Sequence, residues 1–266
     1  MTDAGAHLRS LYAHEGGVRS IFSAKVADYV ASRPDYPAAL FEALAAHAGL
    51  GSGAVVADVG AGTGLLTQGL LQRGAHVIAI EPNPAMRAAS DHLLAGHSAY
   101  QSAEGSAEAM PLANASVDLI TAAQAFHWFD VVPARAECLR VLKSTGQVAL
   151  IWNDRRHGDA LHDALDAVFA EFGGARRAAL LAHEDRRDAP SFFSVHRARE
   201  FAWPHEHRLD APALASLVFS RSYIPARDSA AGRDAKRAVS ALFDRFAERG
   251  SVAVRYTTVA MIGRPG

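Results

Sequence analysis

Val55-Val-Ala-Asp-Val-Gly-Ala-Gly-Thr-Gly64 is the stretch whose reading decides the fold. β-favouring and small residues run into a glycine turn, and the turn opens onto Leu65, Leu66 and Thr67 at the head of an apolar helix. The next apolar run, His76-Val-Ile-Ala-Ile80, reads as a second strand ending on Glu81. In a strand, loop, helix, strand unit of this kind, Gly60, Gly62 and Gly64 let the backbone turn sharply. They also let it approach a ligand where a Cβ would clash. The helix N-terminus behind them offers unpaired N–H groups to an anion. Glu81 stands where an acidic side chain accepts both hydroxyls of a ribose. The predicted ligand contains adenosine.

The glycine spacing narrows the ligand. Dinucleotide folds carry G-x-G-x-x-G, whereas this loop is Gly60-Ala-Gly-Thr-Gly64 followed by two leucines. With Asp58 on the strand before it, the loop resembles that of the class I S-adenosylmethionine (SAM)-dependent methyltransferases, type 11-like. The resemblance implies an α/β fold: a Rossmann-like, seven-stranded, mostly parallel sheet with helices on both faces, the last strand antiparallel, and a helical cover. It also implies SAM as cofactor and S-adenosylhomocysteine as product, with Gly60, Ala61, Gly62 and Glu81 as cofactor contacts.

Other segments carry the resemblance outward, over about residues 22–264. Ile21 to Pro37 holds Phe22, Val26, Tyr29 and Val30 on one helical face, broken by Pro34 and Pro37. Its Phe…Tyr…Arg-Pro-x-Tyr-Pro pattern resembles a segment that closes over the cofactor, which implies Tyr29 and Arg33 at the methionine end and Phe22 at the substrate. Arg33 suits a carboxylate because its planar fork binds two oxygens. In Ala103 to Leu112 the resemblance places Ser106 and Ala107 beside the adenine. Gln124-Ala-Phe-His-Trp128 follows a predicted strand, Val117 to Gln124, and lies at the carboxyl end of the sheet, the side on which open α/β sheets bind ligands. It resembles the Gln-Ala-x-His-Trp segment of small-molecule methyltransferases that act on trans-aconitate or azapteridines. Gln124, His127 and Trp128 thereby become candidates to line the methyl-transfer site.

The remaining pattern completes a layered α/β chain. Helices are expected over Leu40 to His47, from Pro82-Asn-Pro84 to about Leu94, and over Val131 to Leu142; further strands begin at Tyr100 and span Gln147 to Trp152. Leu161 to Phe172 and Arg176 to Leu181 read as helical, and Pro190 to Val195 approaches a strand that continues through Trp203. Asp210 to Pro225 has an Asp cap, an early proline and an apolar face. It belongs to a cover insertion expected over about residues 205–226, within a domain of residues 21–264 that follows a flexible segment of residues 1–20. Ala235 to Glu248 is a further helix, and Ser251 to Met261 the last strand, expected antiparallel beside the one near Phe201.

With 266 residues, 50% hydrophobic and 21% charged, and a formal net charge of −1, the chain has the composition of one large α/β domain. No basic field points to nucleic acid or to an anionic membrane, and neither an export signal nor a membrane-spanning run is read. The lone Cys138 falls in a helical pattern as a core residue, consistent with a reducing cytoplasm. Most of the thirteen histidines are scattered without a metal-ligand spacing; His205-Glu-His207 on an expected strand puts two imidazoles on one face, but two ligands fall short of a site and no metal is expected.

Expected partners are therefore a small-molecule acceptor, with neither nucleic acid nor membrane, the chain being a monomer or a homodimer. For a carboxylate acceptor, Arg221 beside Ser220, Ser222 and Tyr223 offers an anion clamp. For a heteroaromatic nitrogen, Phe126, Trp128, Phe219 and Tyr223 offer stacking surface, and His127 a general base. A nonenzymatic SAM or nucleotide sensor, and an NAD-dependent oxidoreductase, are the competing readings.

Overall fold

The structure is a computed structural model that describes residues 17–156, 158–183, 189–193 and 198–266. The elements run α1 (Gly17–Ser32), α2 (Ala38–Ala48), β1 (Val55–Val59), α3 (Leu65–Leu71), β2 (His76–Ile80), α4 (Pro84–Leu94), β3 (Tyr100–Ala103) and β4 (Val117–Ala123). After a short 3-10 helix (Phe126–Trp128) come α5 (Val131–Val141), β5 (Leu142–Arg155), α6 (Ala160–His183), α7 (Ala189–Phe192), β6 (Ala198–Leu209), α8 (Ala211–Phe219), α9 (Ala230–Phe246) and β7 (Val252–Gly263).

Seven strands form one mixed sheet in the order β3-β2-β1-β4-β5-β7-β6. The first five pair in parallel, with Val56 opposite both Val77 and Leu119, and the last strands are antiparallel. Strand order reverses between β1 and β4, so the crevice for a ligand falls at the carboxyl ends of these two strands. Alternate residues feed two apolar layers. Val56, Val77, Leu119 and Ile151 pack with Leu40 and Leu44 of α2 and Leu66 and Leu70 of α3. Ala57, Ile80, Ile120 and Leu150 pack with Ala134 and Cys138 of α5 and with Phe192. Burial on both faces is why these strands read as continuous apolar runs.

The chain divides into two compact units. The sheet unit comprises Asp35–Asn153, Asp185–Trp203 and Thr258–Gly266; the helical unit comprises Met1–Pro34, Asp154–Glu184 and Pro204–Thr257. In the sheet unit, Asp118 fastens three strands at their amino-terminal ends: Lys143 Nζ lies 2.9 Å from both of its oxygens and Val55 N–H donates to it at 3.0 Å. In the helical unit, Lys25 Nζ donates to the carbonyls of Phe219 and Ile224, each at 2.9 Å, and so caps the end of α8 from α1. Charge near the last carbonyls of a helix stabilises it.

Some expectations are corrected. Residues 189–192 are helical and not the start of a strand, because Pro190 suits a first helical turn and Phe192 and Phe193 are both fully buried, so the segment fills the core rather than alternating; residues 194–197, the rest of that expected strand, lie outside the described residues. Residues 205–209 of the expected cover belong to β6. The helix of that region starts where Asp210 predicted, its carboxylate accepting from Ala213 N–H at 2.8 Å, but ends at Phe219. The two helical pieces read in 161–181 are the halves of α6 on either side of Gly174, whose φ of 52° and ψ of −143° break the helix. Residues 17–20, read as part of the polar N-terminus, open α1, while the earlier residues of that segment, with their expected short helix and flexibility, lie outside the described residues.

Candidate cofactor and active site

The glycine loop has a different reason for each of its glycines. At Gly64, with φ of 84°, an added Cβ would stand 2.5 Å from Ser90 Oγ and 3.0 Å from Leu94 Cδ1, so this residue lets α3 pack on α4. At Gly60 the Cβ would meet Ala125 Cβ at 2.6 Å. Gly62, with φ of 58°, faces open space, with nothing within 4 Å. Two glycines serve the protein's own packing, and the one between them keeps a surface bare. Ile80 carbonyl fixes the turn by accepting from Gly60 N–H at 2.8 Å and Ala61 N–H at 3.2 Å.

Beneath the loop lies a buried acid. Asp58 accepts from Thr67 Oγ1 at 2.6 Å and from Thr121 Oγ1 at 2.8 Å, joining β1 to α3 and β4. Burial pushes its carboxyl up to about 6, against the two hydroxyl hydrogen bonds.

Glu81, largely buried at the end of β2, is held through both oxygens. Oε2 accepts from Gly62 N–H at 3.0 Å and Oε1 from Asn83 N–H at 2.9 Å. Burial raises its pKa, opposed by these two bonds and by Arg87. Asn83 in turn caps α4, accepting from Ala85 and Met86 N–H, and Arg87 Nη1 holds the Glu81 carbonyl at 2.7 Å. A carboxylate has about four lone-pair directions, so two backbone bonds orient Glu81 without saturating it. An oriented carboxylate beside a bare glycine backbone is what a ribose diol requires. These residues fit S-adenosylmethionine.

Two further loops border the same strand ends. Ser106 and Ala109 exchange backbone hydrogen bonds in a tight turn, and Ala107 is buried in the core. Glu108 Oε1 accepts from Asp130 N–H at 2.8 Å, which ties this turn to the loop after β4. Arg140 stiffens the same region, donating to the carbonyls of Leu112 and Met110 while paired with Glu137 at 2.6 Å. Neither Glu137 nor Arg140 stood out in the sequence, where each is one charge among several on a helix. Gln124 sits at φ 54°, a left-handed backbone unusual for a residue with a side chain, and its Nε2 donates to Asn153 carbonyl at 3.2 Å. His127 and Trp128 follow in the 3-10 helix, half-buried, with ring centroids 5.0 Å apart.

Phe126, expected as stacking surface, is buried instead among Phe129, Trp152 and Phe192 in edge-to-face contacts. Phe219 is likewise 1% exposed. Met86 is core, and so is Cys138, whose thiol burial pushes up to about 12, chemically inert.

The other expected site residues belong to the helical unit. Arg33 lies over the Tyr29 ring, 4.2 Å from its centroid. Arg221 lies 5.8 Å from the Phe169 centroid, and Tyr223 meets that ring edge-on at 5.9 Å. Phe22 falls in α1, its side chain outside the described residues. Among the described residues no group of three or more metal-ligating side chains is found, and no helix is long and apolar enough to cross a membrane.

Comparison with known proteins agrees with the geometry. A family model described as a methyltransferase domain matches residues 57–150, from β1 through most of β5. An uncharacterized methyltransferase of Mycobacterium tuberculosis is 33% identical over 243 residues, 90% of this chain and 93% of the relative. An uncharacterized methyltransferase-like protein of Schizosaccharomyces pombe is 31% identical over 215 residues, 76% of this chain and 78% of its own. A solved structure from Anaeromyxobacter dehalogenans, of a protein assigned as a type II methyltransferase, superposes with a TM-score of 0.63 at 24% identity, covering 87% of this chain and 97% of that one, and shows the shared fold. With a bare glycine turn, an oriented acid and a parallel sheet that switches between β1 and β4, the chain belongs to the methyltransferase family, as an S-adenosylmethionine-dependent enzyme of the class I fold.

Proposed function

We propose that the chain methylates a small-molecule acceptor, with the cofactor held on Gly60, Ala61 and Gly62, its ribose on Glu81, and its adenine beside Ser106 and Ala107. The observation that carries this reading is the Glu81 carboxylate, fixed by Gly62 and Asn83 N–H groups and left with acceptor capacity toward the open side of Gly62. Family membership sets the oxidoreductase and sensor readings aside.

Bound S-adenosylmethionine supplies a methyl group already activated by its sulfonium. The chain therefore has to align an acceptor lone pair and exclude competing water. Gln124 to Trp128 are the proposed wall of this step, the strained Gln124 backbone turning the segment at the end of β4. A heteroaromatic or phenolic acceptor that carries a proton would give it to His127; a carboxylate needs no base. We favour the carboxylic acid. The burial of Phe126, Phe219 and Tyr223 supports that choice, since it withdraws three of the four rings that a flat heterocycle would use.

A methyl-labelled cofactor assay on a panel of carboxylic acids and N-heterocycles tests the reading. Label released by mild base marks a methyl ester, as expected. Base-stable label would replace the acid by a nitrogen, carbon or ether oxygen acceptor. In parallel, Glu81→Ala should weaken S-adenosylhomocysteine binding in calorimetry by about 1–3 kcal/mol, the loss of hydrogen bonds to a charged acceptor. Unchanged affinity would remove Glu81 from the site.

A further inference from the structure

Within the helical unit, two separate segments bring polar groups to the buried ring of Phe169 on α6. Arg155, at the end of β5, lies with its guanidinium 4.8 Å from the ring centroid, and Arg221, just after α8, lies at 5.8 Å. Tyr223 packs against the ring edge. Arg155 Nη2 donates to Asp166 Oδ1 at 2.5 Å, and Arg177 Nη2 donates to the same oxygen at 3.3 Å, so one carboxylate is shared between two guanidinium groups. The other terminal nitrogen of Arg155, Nη1, is buried and makes no hydrogen bond among the described residues. The same holds for the hydroxyl of Tyr256 on β7, a residue 1% exposed. Burial raises the Tyr256 phenol, and the positive charges of Arg221, Arg33 and Arg155 oppose the rise.

Buried donors without acceptors are rare and costly, and like charges gathered at low dielectric add to the cost. A second oxyanion would relieve both, taking one N–H from Arg155 and one O–H from Tyr256, with the arginine charge around it. We propose that Arg155, Tyr256 and Arg221 form a binding site in the helical unit for the oxyanion group, carboxylate or phosphate, of a small molecule. The site shares only Arg221 with the acceptor residues expected from the sequence; anion binding and methyl transfer are measured separately, so either can fail alone.

Titration calorimetry of the full chain with citrate, tricarballylate and inorganic phosphate tests it. The expected result is saturable binding of at least one probe, weakened about tenfold by Tyr256→Phe, which removes the hydroxyl and keeps the ring, and by Arg155→Lys, which keeps the charge and loses the fork. Preference for the acids or for phosphate identifies which oxyanion the site takes. Arg237→Ala, on the exposed surface of α9, should leave binding unchanged. S-Adenosylhomocysteine affinity should be the same in wild type and Tyr256→Phe. No binding of any probe, or equal binding by wild type and Tyr256→Phe, overturns the site. A fall in S-adenosylhomocysteine affinity that matches the fall in anion affinity would also overturn it, since the donors would then serve the cofactor's own carboxylate.

Discussion

The glycine loop of the sheet unit and the arginine cluster of the helical unit are both built around charge, yet by opposite means. In the first, one buried carboxylate is met by backbone N–H groups, and the geometry follows from where three glycines allow the chain to turn. In the second, side chains from β5 and from the segment after α8 gather around a ring of α6, and two donors of the same unit, Arg155 Nη1 and the Tyr256 hydroxyl, keep no protein acceptor among the described residues. A site made of backbone is complete once its local sequence folds. A site made of long side chains depends on the packing of distant elements, and its unmet donors show where a ligand belongs.

The largest effect that separates the two kinds of site is expected at Gly64. Gly64→Val puts a branched side chain at φ 84° against Ser90 and Leu94, and should lower unfolding stability by about 3 kcal/mol or more in urea titration. Gly62→Ala meets only open space, so its cost is about 1 kcal/mol of backbone strain, while S-adenosylhomocysteine affinity falls more steeply than stability. If Gly62→Ala bound the cofactor product as wild type does, the bare face would have no ligand to serve.

Next in size is the titration of Asp58. Its folded carboxyl is raised from 3.8 to about 6, so the folded chain binds this proton more tightly than the unfolded chain does. The group therefore favours folding fully below pH about 4, and this contribution, about 3 kcal/mol, is lost as pH rises through about 6. Asp58→Asn cannot titrate. Plotted against pH from 4 to 7, the stability difference between the variant and wild type should shift in favour of the variant as pH rises; a constant difference would mean that the Thr67 and Thr121 hydroxyls offset burial completely.

Tyr256→Phe gives a smaller effect of unusual sign. Because the hydroxyl is buried without an acceptor among the described residues, its removal should stabilise the ligand-free chain by about 1 kcal/mol in thermal or urea unfolding. Thr121→Val, which takes an equally buried hydroxyl from the sheet unit, should destabilise by about 1–2 kcal/mol because Asp58 then loses a donor. Equal destabilisation by both would place an unrecognised acceptor at Tyr256 and dissolve the contrast between the units.

Most of the sheet unit could be read in advance because its signals are local. Glycines that need positive φ, the early proline of α4, and apolar runs buried on both faces all declare themselves within a few residues, as does the Asp210 cap in the helical unit. Pro190 to Phe193 misled for the opposite reason: two adjacent phenylalanines match a strand and a buried turn of helix equally, and core volume chose the helix. Phe126 and Phe219 could not be told from surface aromatics, since exposure is a property of neighbours far along the chain.

From the sequence alone followed the glycine turn, the acid at the end of the second strand and the alternation of strands with helices, because backbone conformation and strand periodicity act over short range; the seven-stranded sheet was what the resemblance implied. Only the tertiary structure could bring Arg155 and Arg221, 66 positions apart, to the ring of Phe169, with Asp166 paired to Arg155 beside it. Long cationic side chains have no local partner that foretells where their guanidinium groups will meet, and packing alone decides which donor is left for a ligand.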